Sequence, residues 1–145
     1  MVIGIIGENC VGKSALARQI QAAIGAEIMT GRDYLRLAKS EGEAAMLFRQ
    51  KLLDAVDGKN VIYIISEREH LSFLPEGAVR ILATAGLEAI RKRFRARMQG
   101  SLPAPVAQML ERKHGMFDQG DYQFRFDSED GDAAALCDSL RALLG

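Results

Sequence analysis

Apolar residues along the chain follow two alternating rhythms. Short, nearly continuous runs occur at Val2-Ile3-Gly4-Ile5-Ile6, Ala26 to Thr30, Val61-Ile62-Tyr63-Ile64-Ile65 and Ala78 to Thr84, while Tyr122-Gln123-Phe124-Arg125-Phe126 alternates with period two. Runs of this length predict strands, and the unbroken 61–65 run predicts one covered on both faces. Between them the apolar spacing stretches to three and four residues. Leu16, Ile20 and Ile24 predict a helix from Ser14 that stops at Gly25. Asp33 to Lys39 and Glu43 to Val56 also have helical periodicity, the second through Met46, Leu47, Leu53 and Val56, with an interruption near Gly42 and a stop at Gly58. Leu87 to Met98 and Val106 to Lys113 predict helices either side of a turn containing Pro103 and Pro105. A last helix, Ala133 to Leu144, turns Leu136, Leu140, Leu143 and Leu144 inward. Such alternation predicts a single α/β domain over 1–145, with three α/β/α layers around a five-stranded, mostly parallel sheet. Ligands of such sheets bind beyond the carboxyl ends of the strands.

The first strand-to-helix junction carries the strongest chemical signal. Gly7-Glu8-Asn9-Cys10-Val11-Gly12-Lys13-Ser14 is a complete G-x-x-x-x-G-K-[ST] loop, followed by Ala15 inside the helix. In this order of strand, loop and helix, backbone amides at the helix N-terminus surround the terminal phosphates of a nucleotide. Lys13 then reaches the β/γ oxygens and the Ser14 hydroxyl ligates Mg²⁺, which makes ATP with Mg²⁺ the expected ligand pair.

Charge and cysteine content narrow the remaining possibilities. Nineteen basic and nineteen acidic residues cancel, so no overall field draws the chain to nucleic acid or an anionic membrane. The longest apolar runs are strand-sized, and the chain enters a strand directly without a charged leader, so the cytoplasm is the expected compartment. Cys10 and Cys137 are too few and too far apart for a disulfide framework or a zinc cluster, and Cys10 reads as a small filler of a free loop position. His70 and His114 have no partner at metal-ligand spacing.

Switch GTPases need an Asp-x-x-Gly after strand three and an Asn/Thr-Lys-x-Asp for guanine, and the chain has neither. It has instead arginines placed after the strands. In Arg91-Lys92-Arg93-Phe94-Arg95-Ala96-Arg97, helical spacing puts Leu87, Ile90, Phe94 and Met98 on a buried stripe, with Arg93 and Arg97 together along one side. Phosphoryl transfer depends on such cations around the equatorial oxygens.

On these residues the sequence resembles the nucleoside monophosphate kinase family. Arg93-Phe94-Arg95-Ala96-Arg97 looks like the Arg-hydrophobic-x-x-Arg leading into the lid of adenylate kinases, and Thr30-Gly31-Arg32-Asp33-Tyr34-Leu35-Arg36 like their Thr-Gly-Asp-x-Leu-Arg with one residue added. Ser66-Glu67-Arg68 is similar to the Asp/Glu-Arg step of thymidylate and deoxynucleoside kinases, and the stretch from Met109 to Leu144 to the end of a guanylate kinase. The Asp-Gly-Phe-Pro-Arg of adenylate kinases is absent after strand three. The resemblance implies phosphoryl transfer from ATP to a nucleotide acceptor, by a monomer or homodimer. It implies acceptor-side helices over about 31–57 and a short lid over about 93–115. Thr30 and Arg36 would line the acceptor site, and Arg93 and Arg97 would close over the transferred group.

Several residues carry two readings. Glu67 would hold Mg²⁺ through water or pair with Arg68, itself a candidate for the transferred group. Asp33 would deprotonate a hydroxyl acceptor or merely cap a helix. Arg49 would hold an acceptor phosphate or lie exposed, as would Arg112 or Lys113 as a second lid cation. The rivals to a nucleotide kinase are a kinase of a small hydroxyl metabolite or nucleoside with Asp33 as base, and a nucleotide-binding regulatory protein without efficient transfer. The acid run Asp127 to Asp132 reads chiefly as a solvated turn and helix start.

Overall fold

A computed structural model describes all 145 residues. Five strands, β1 (Val2–Ile6), β2 (Glu27–Thr30), β3 (Val61–Ile65), β4 (Val79–Thr84) and β5 (Phe124–Asp127), form one sheet in the order β2-β3-β1-β4-β5. Every pairing is parallel, which sharpens the expected mostly parallel sheet. Around it run α1 (Lys13–Ile24), α2 (Glu41–Ala55), α3 (Leu87–Arg97), α4 (Ala104–Lys113) and α5 (Ala133–Leu144), with 3₁₀ turns at Asp33–Leu37 and Arg68–Phe73. Parallel order puts the ends of all five strands at one edge, where the loop after β1 lies between those after β3 and β4.

The period-two pleat divides the core into two halves. Ile3, Ile5, Ile62, Ile64, Ile81 and Ala83 face α1 and α5 through Leu16, Ala17, Ile20, Leu136, Cys137 and Leu140. Val2, Ile6, Val61, Tyr63, Ile65 and Leu82 face the other way, against Ala44, Phe48, Leu52, Phe73, Leu74 and Phe117. This second half is aromatic: Tyr34 stacks on Phe48 at 5.5 Å, and Phe73 lies 4.7 Å from Tyr34 and 5.0 Å from Phe48. Gly4 admits it to the sheet, since a Cβ there would stand 2.6 Å from Leu74 Cδ1.

Several boundaries and three faces differ from the sequence reading; on α3, Ile90 alone of the expected stripe is buried, Leu87 and Phe94 are half-buried, and Met98 lies exposed past the helix end at Arg97. Gly42 lies inside α2; the break falls at Ala38–Ser40, where the Ser40 hydroxyl caps the helix by accepting from the Glu43 N–H at 3.2 Å. The inward stripe of α2 is Ala44, Phe48, Leu52 and Ala55, whereas Met46 is 70% and Leu53 58% exposed. Alanine carries too little hydropathy to mark a stripe, so the larger residues misplaced it. In α5 the inward residues are Leu136, Cys137 and Leu140, and Leu143 and Leu144 are exposed as the helix runs past the sheet. Strand β5 starts at Phe124 rather than Tyr122, whose hydroxyl donates to the Phe117 carbonyl instead. Helix α4 starts two residues earlier than its periodicity suggests, with Pro103 at its N-cap.

Candidate functional site

The loop between β1 and α1 has the backbone of an anion cradle. Cys10 and Gly12 both take positive φ, 66° and 91°, the left-handed turns from which anion-binding backbone concavities are built. Gly12 is confined further: a Cβ there would lie 3.2 Å from Ser128 Cβ. Lys13 folds back over the loop, its Nζ donating to the Gly7 and Glu8 carbonyls, each at 2.6 Å. It is 7% exposed and forms no ion pair. Burial lowers its pKa to about 8; Cys10 and Glu8 oppose the shift, and the charge of Arg97 adds to it. A buried ammonium held only by carbonyls at a helix N-terminus has the charge and donors that phosphate oxygens pair with. Ser14 is exposed at the first turn of α1, free to meet a metal ion there.

Two further segments fasten onto this loop. Arg93 of α3 donates from Nη1 to the Cys10 carbonyl and the Ser128 hydroxyl, both at 2.9 Å. It bridges the loop to the turn after β5. Arg97, one helical turn on, is exposed, but its charge is felt at Lys13. From the other side Glu8 takes the His114 ring at 2.6 Å through Oε1 and the Gly115 N–H at 2.8 Å through Oε2. Thus α3 enters and α4 leaves beside the phosphate loop. Arg91 links the two helices, 2.6 Å from Glu88 and 3.6 Å from Glu111. A cavity of about 660 Å³ opens beside Gly7 and Glu8, between the β4 end at Thr84 to Gly86, the 114–119 segment, Arg125 and Asp127.

On the β2–β3 side the loops build a second pocket of about 190 Å³, lined by Arg32, Tyr34, Arg49, His70, Ser72 and Phe73 with Glu41 and Glu69 at its walls. Arg49 projects from α2 with its guanidinium 4.6 Å over the Phe73 ring and Nη2 3.5 Å from the Ser72 hydroxyl. Asp33, between Arg32 and Tyr34 in the chain, is not among the residues that line it. Its Oδ2 accepts the Thr30 N–H at 2.9 Å and its Oδ1 pairs with Arg36 at 3.0 Å, so it ties β2 to the 3₁₀ turn. Glu67, two residues beyond β3 and just before the second 3₁₀ turn, is exposed, with no ion pair or side-chain hydrogen bond. Arg68 ignores it and donates to the Met116 carbonyl at 2.6 Å.

The whole chain superposes on solved kinases. A shikimate kinase from Acinetobacter baumannii, in complex with shikimate, is 15% identical with a TM-score of 0.63, covering 99% of this chain and 92% of that one. A gluconokinase from Sinorhizobium meliloti 1021 is 14% identical with a TM-score of 0.61, over 97% and 89%. The YorR protein of Bacillus subtilis, in complex with phosphorylated GDP, is 20% identical with a TM-score of 0.59, over 99% and 95%. The fold is that of the phosphate-loop kinases. No protein-family model matches the sequence, and no curated protein is significantly similar to it.

Within this kinase fold, the residues expected at the loop, Gly7 to Ala15, make up the β1–α1 connection and the first turn of α1, and Arg93 and Arg97 both lie on the loop's side of α3. Arg49 lines the small pocket, whereas Arg36 is drawn out of it by Asp33. Thr30 contributes its backbone to Asp33, Arg112 is exposed on α4 without an ion pair, and Arg68 fixes the 116 segment. Sequence reasoning named Glu8 only as part of the loop and found no partner for His114, because their contact joins residues 106 apart. It gave no role to His70, set aside for want of a metal-ligand partner, nor to Arg32 and Tyr34 within the Thr30-to-Arg36 segment; the signal was the Tyr/Phe density of one side of the sheet, visible only once the pleat assigns faces. No helix is long and apolar enough to cross a membrane.

Proposed function

We propose that the protein is a phosphotransferase that moves the γ-phosphoryl of ATP to a hydroxyl of a small anionic metabolite. The observation that carries this reading is the pocket of about 190 Å³ beyond β2 and β3, lined by Arg32 and by Arg49, whose guanidinium lies over the Phe73 ring. Its size is below the roughly 300 Å³ at which ligand pockets usually begin, which favours an acceptor smaller than a nucleotide. The solved kinases of this fold include enzymes for shikimate and gluconate, both hydroxy acids.

In this reading the loop amides and Lys13 hold the triphosphate, and Ser14 with Glu67 holds the metal. Mg²⁺, when bound, supplies charge neutralisation across the β- and γ-phosphates. The acceptor oxygen forms its bond to the γ-phosphorus as the bond to the β–γ bridging oxygen breaks, and the nucleoside diphosphate departs. Asp33 takes the hydroxyl proton. Arg97 attends the equatorial oxygens, and Arg93 joins the loop to the Ser128 turn beside the donor nucleotide. Arg32 and Arg49 hold the acceptor's anion. Residues 31–57 form the acceptor side, and 93–115, with Arg112, a short lid.

A second reading, transfer to a nucleoside monophosphate, is favoured by the phosphorylated GDP held in YorR and by the Thr30-to-Arg36 segment. A phosphoryl-transfer screen over hydroxy acids, sugar acids, nucleosides and nucleoside monophosphates decides between them. Turnover on a hydroxy acid, lowered about 10² to 10⁴-fold by Asp33→Asn, is the expected result. Turnover on a monophosphate that tolerates Asp33→Asn would overturn the first reading; ATP hydrolysis without transfer would overturn both.

A further inference from the structure

One wall of the small pocket is chemically unfinished. His70 is 5% exposed, enclosed by Tyr34, Tyr63 and Phe73 at ring-centroid distances of 6.4, 6.4 and 6.2 Å. Its Nδ1 is the one buried side-chain nitrogen or oxygen in the molecule without a hydrogen-bond partner. Buried polar atoms in folded proteins are matched by protein, water or ligand, so an unmatched one on a pocket wall marks a place for a partner from outside the chain.

The tautomer defines what that partner offers. Nε2 stands 3.8 Å from the Glu69 carboxylate, beyond hydrogen-bond range but on the side where a ring proton meets negative charge; with the proton there, Nδ1 is a lone-pair acceptor. The same pocket carries Arg32 and Arg49, which donate only. An anion satisfies the guanidiniums but not Nδ1, which needs a donor. We infer that His70 is a specificity-determining residue, its Nδ1 accepting a hydrogen bond from an acceptor hydroxyl while Arg32 and Arg49 take the acceptor's anionic group. The inference rests on the acceptor-pocket reading and narrows it to anions that also carry a hydroxyl. A deoxy analogue of the same shape leaves the nitrogen unmatched and binds more weakly.

The test uses matched probes on the full chain: shikimate with cyclohex-1-enecarboxylate, gluconate with hexanoate, and glycerol 3-phosphate with propyl phosphate. Binding is measured by calorimetry, and the His70 ring by long-range ¹H–¹⁵N spectroscopy, assigned by its loss in His70→Asn since the chain has two histidines. In at least one pair the hydroxylated probe is expected to bind about three- to tenfold tighter, the value of one hydrogen bond, and only that probe shifts Nδ1. His70→Phe, which keeps the aromatic packing, is expected to bind both members alike, and His70→Asn, with a polar group near Nδ1, to recover part of the preference. A free protein protonated on Nδ1, or an undiminished preference in a folded His70→Phe, overturns the assignment while leaving the acceptor pocket standing. If no probe in any pair perturbs the Tyr34 and Phe73 rings, the pocket reading falls and the assignment with it.

Discussion

Lys13 is held in a state that the chain would not choose for a free lysine. Burial brings its pKa from 10.5 to about 8, so the folded chain binds fewer protons here than the unfolded chain between those values. Stability from this residue therefore rises with pH across the window from about 8 to 10.5. Nucleotide affinity moves the opposite way. A bound triphosphate keeps Lys13 protonated, so binding takes up a proton above about pH 8 and affinity falls there. Calorimetry in buffers of differing ionisation enthalpy checks this, and a flat affinity from pH 7 to 9 would contradict it. Lys13→Ala is expected to abolish most of the thermal stabilisation by ATP, read as a lost melting shift at saturating ligand, while the fold persists. At this scale the loop was legible because eight contiguous residues encode one backbone shape. The Glu8–His114 contact and the surroundings of His70 and Arg32 were not, because each depends on residues brought near by folding.

Elements were legible where residue size tracked burial and illegible where it did not. Helix α2 shows both: its length follows from periodicity, yet its inward face combines Phe48 and Leu52 with two alanines, and larger residues such as Met46 and Leu53 face solvent. Phe48→Ala is accordingly expected to cost about 3 to 5 kcal/mol in denaturant unfolding. Met46→Ala, on the exposed face, should stay within about 0.5 kcal/mol. Equal losses would restore the stripe read from periodicity. Phe94 on α3 is only partly buried, so the replacement Phe94→Ala should cost less than Phe48→Ala. The ends of α3 and α4 make a second element-scale prediction. Glu8→Ala removes both fastenings of the 114–115 segment, and hydrogen exchange at Gly115 and its neighbours is expected to quicken while β1 stays protected. Glu8→Gln, which keeps an acceptor, should show a smaller change. Unaltered exchange in Glu8→Ala would mean the segment is held by Arg68 and Phe117 alone.

Across the whole molecule, alternation of strand and helix foretold the layers, and the right-handed rule for parallel crossovers limits how they wind. Strand order was not legible, since four of the five apolar runs are alike in length and character, and nothing local assigns neighbours. The structure puts β1 at the centre, paired with β3 on one side and β4 on the other. Net neutrality on the same scale predicts no salt-dependent binding to DNA; retardation of the protein by duplex DNA at physiological ionic strength would contradict it.

Central placement of β1 also sets a timetable for synthesis. Of these five strands β1 is made before the others and has the most distant obligations: its first partner ends at Ile65 and its second at Thr84. At roughly 5 to 20 residues per second, the nascent β1 waits about 3 to 13 s for the first and longer for the second. An all-apolar segment without partners for seconds is a natural substrate for chaperones. Ribosome-stalled chains ending before β3 has emerged should therefore be open to protease throughout, with protection of β1 beginning only once β4 is free of the exit tunnel.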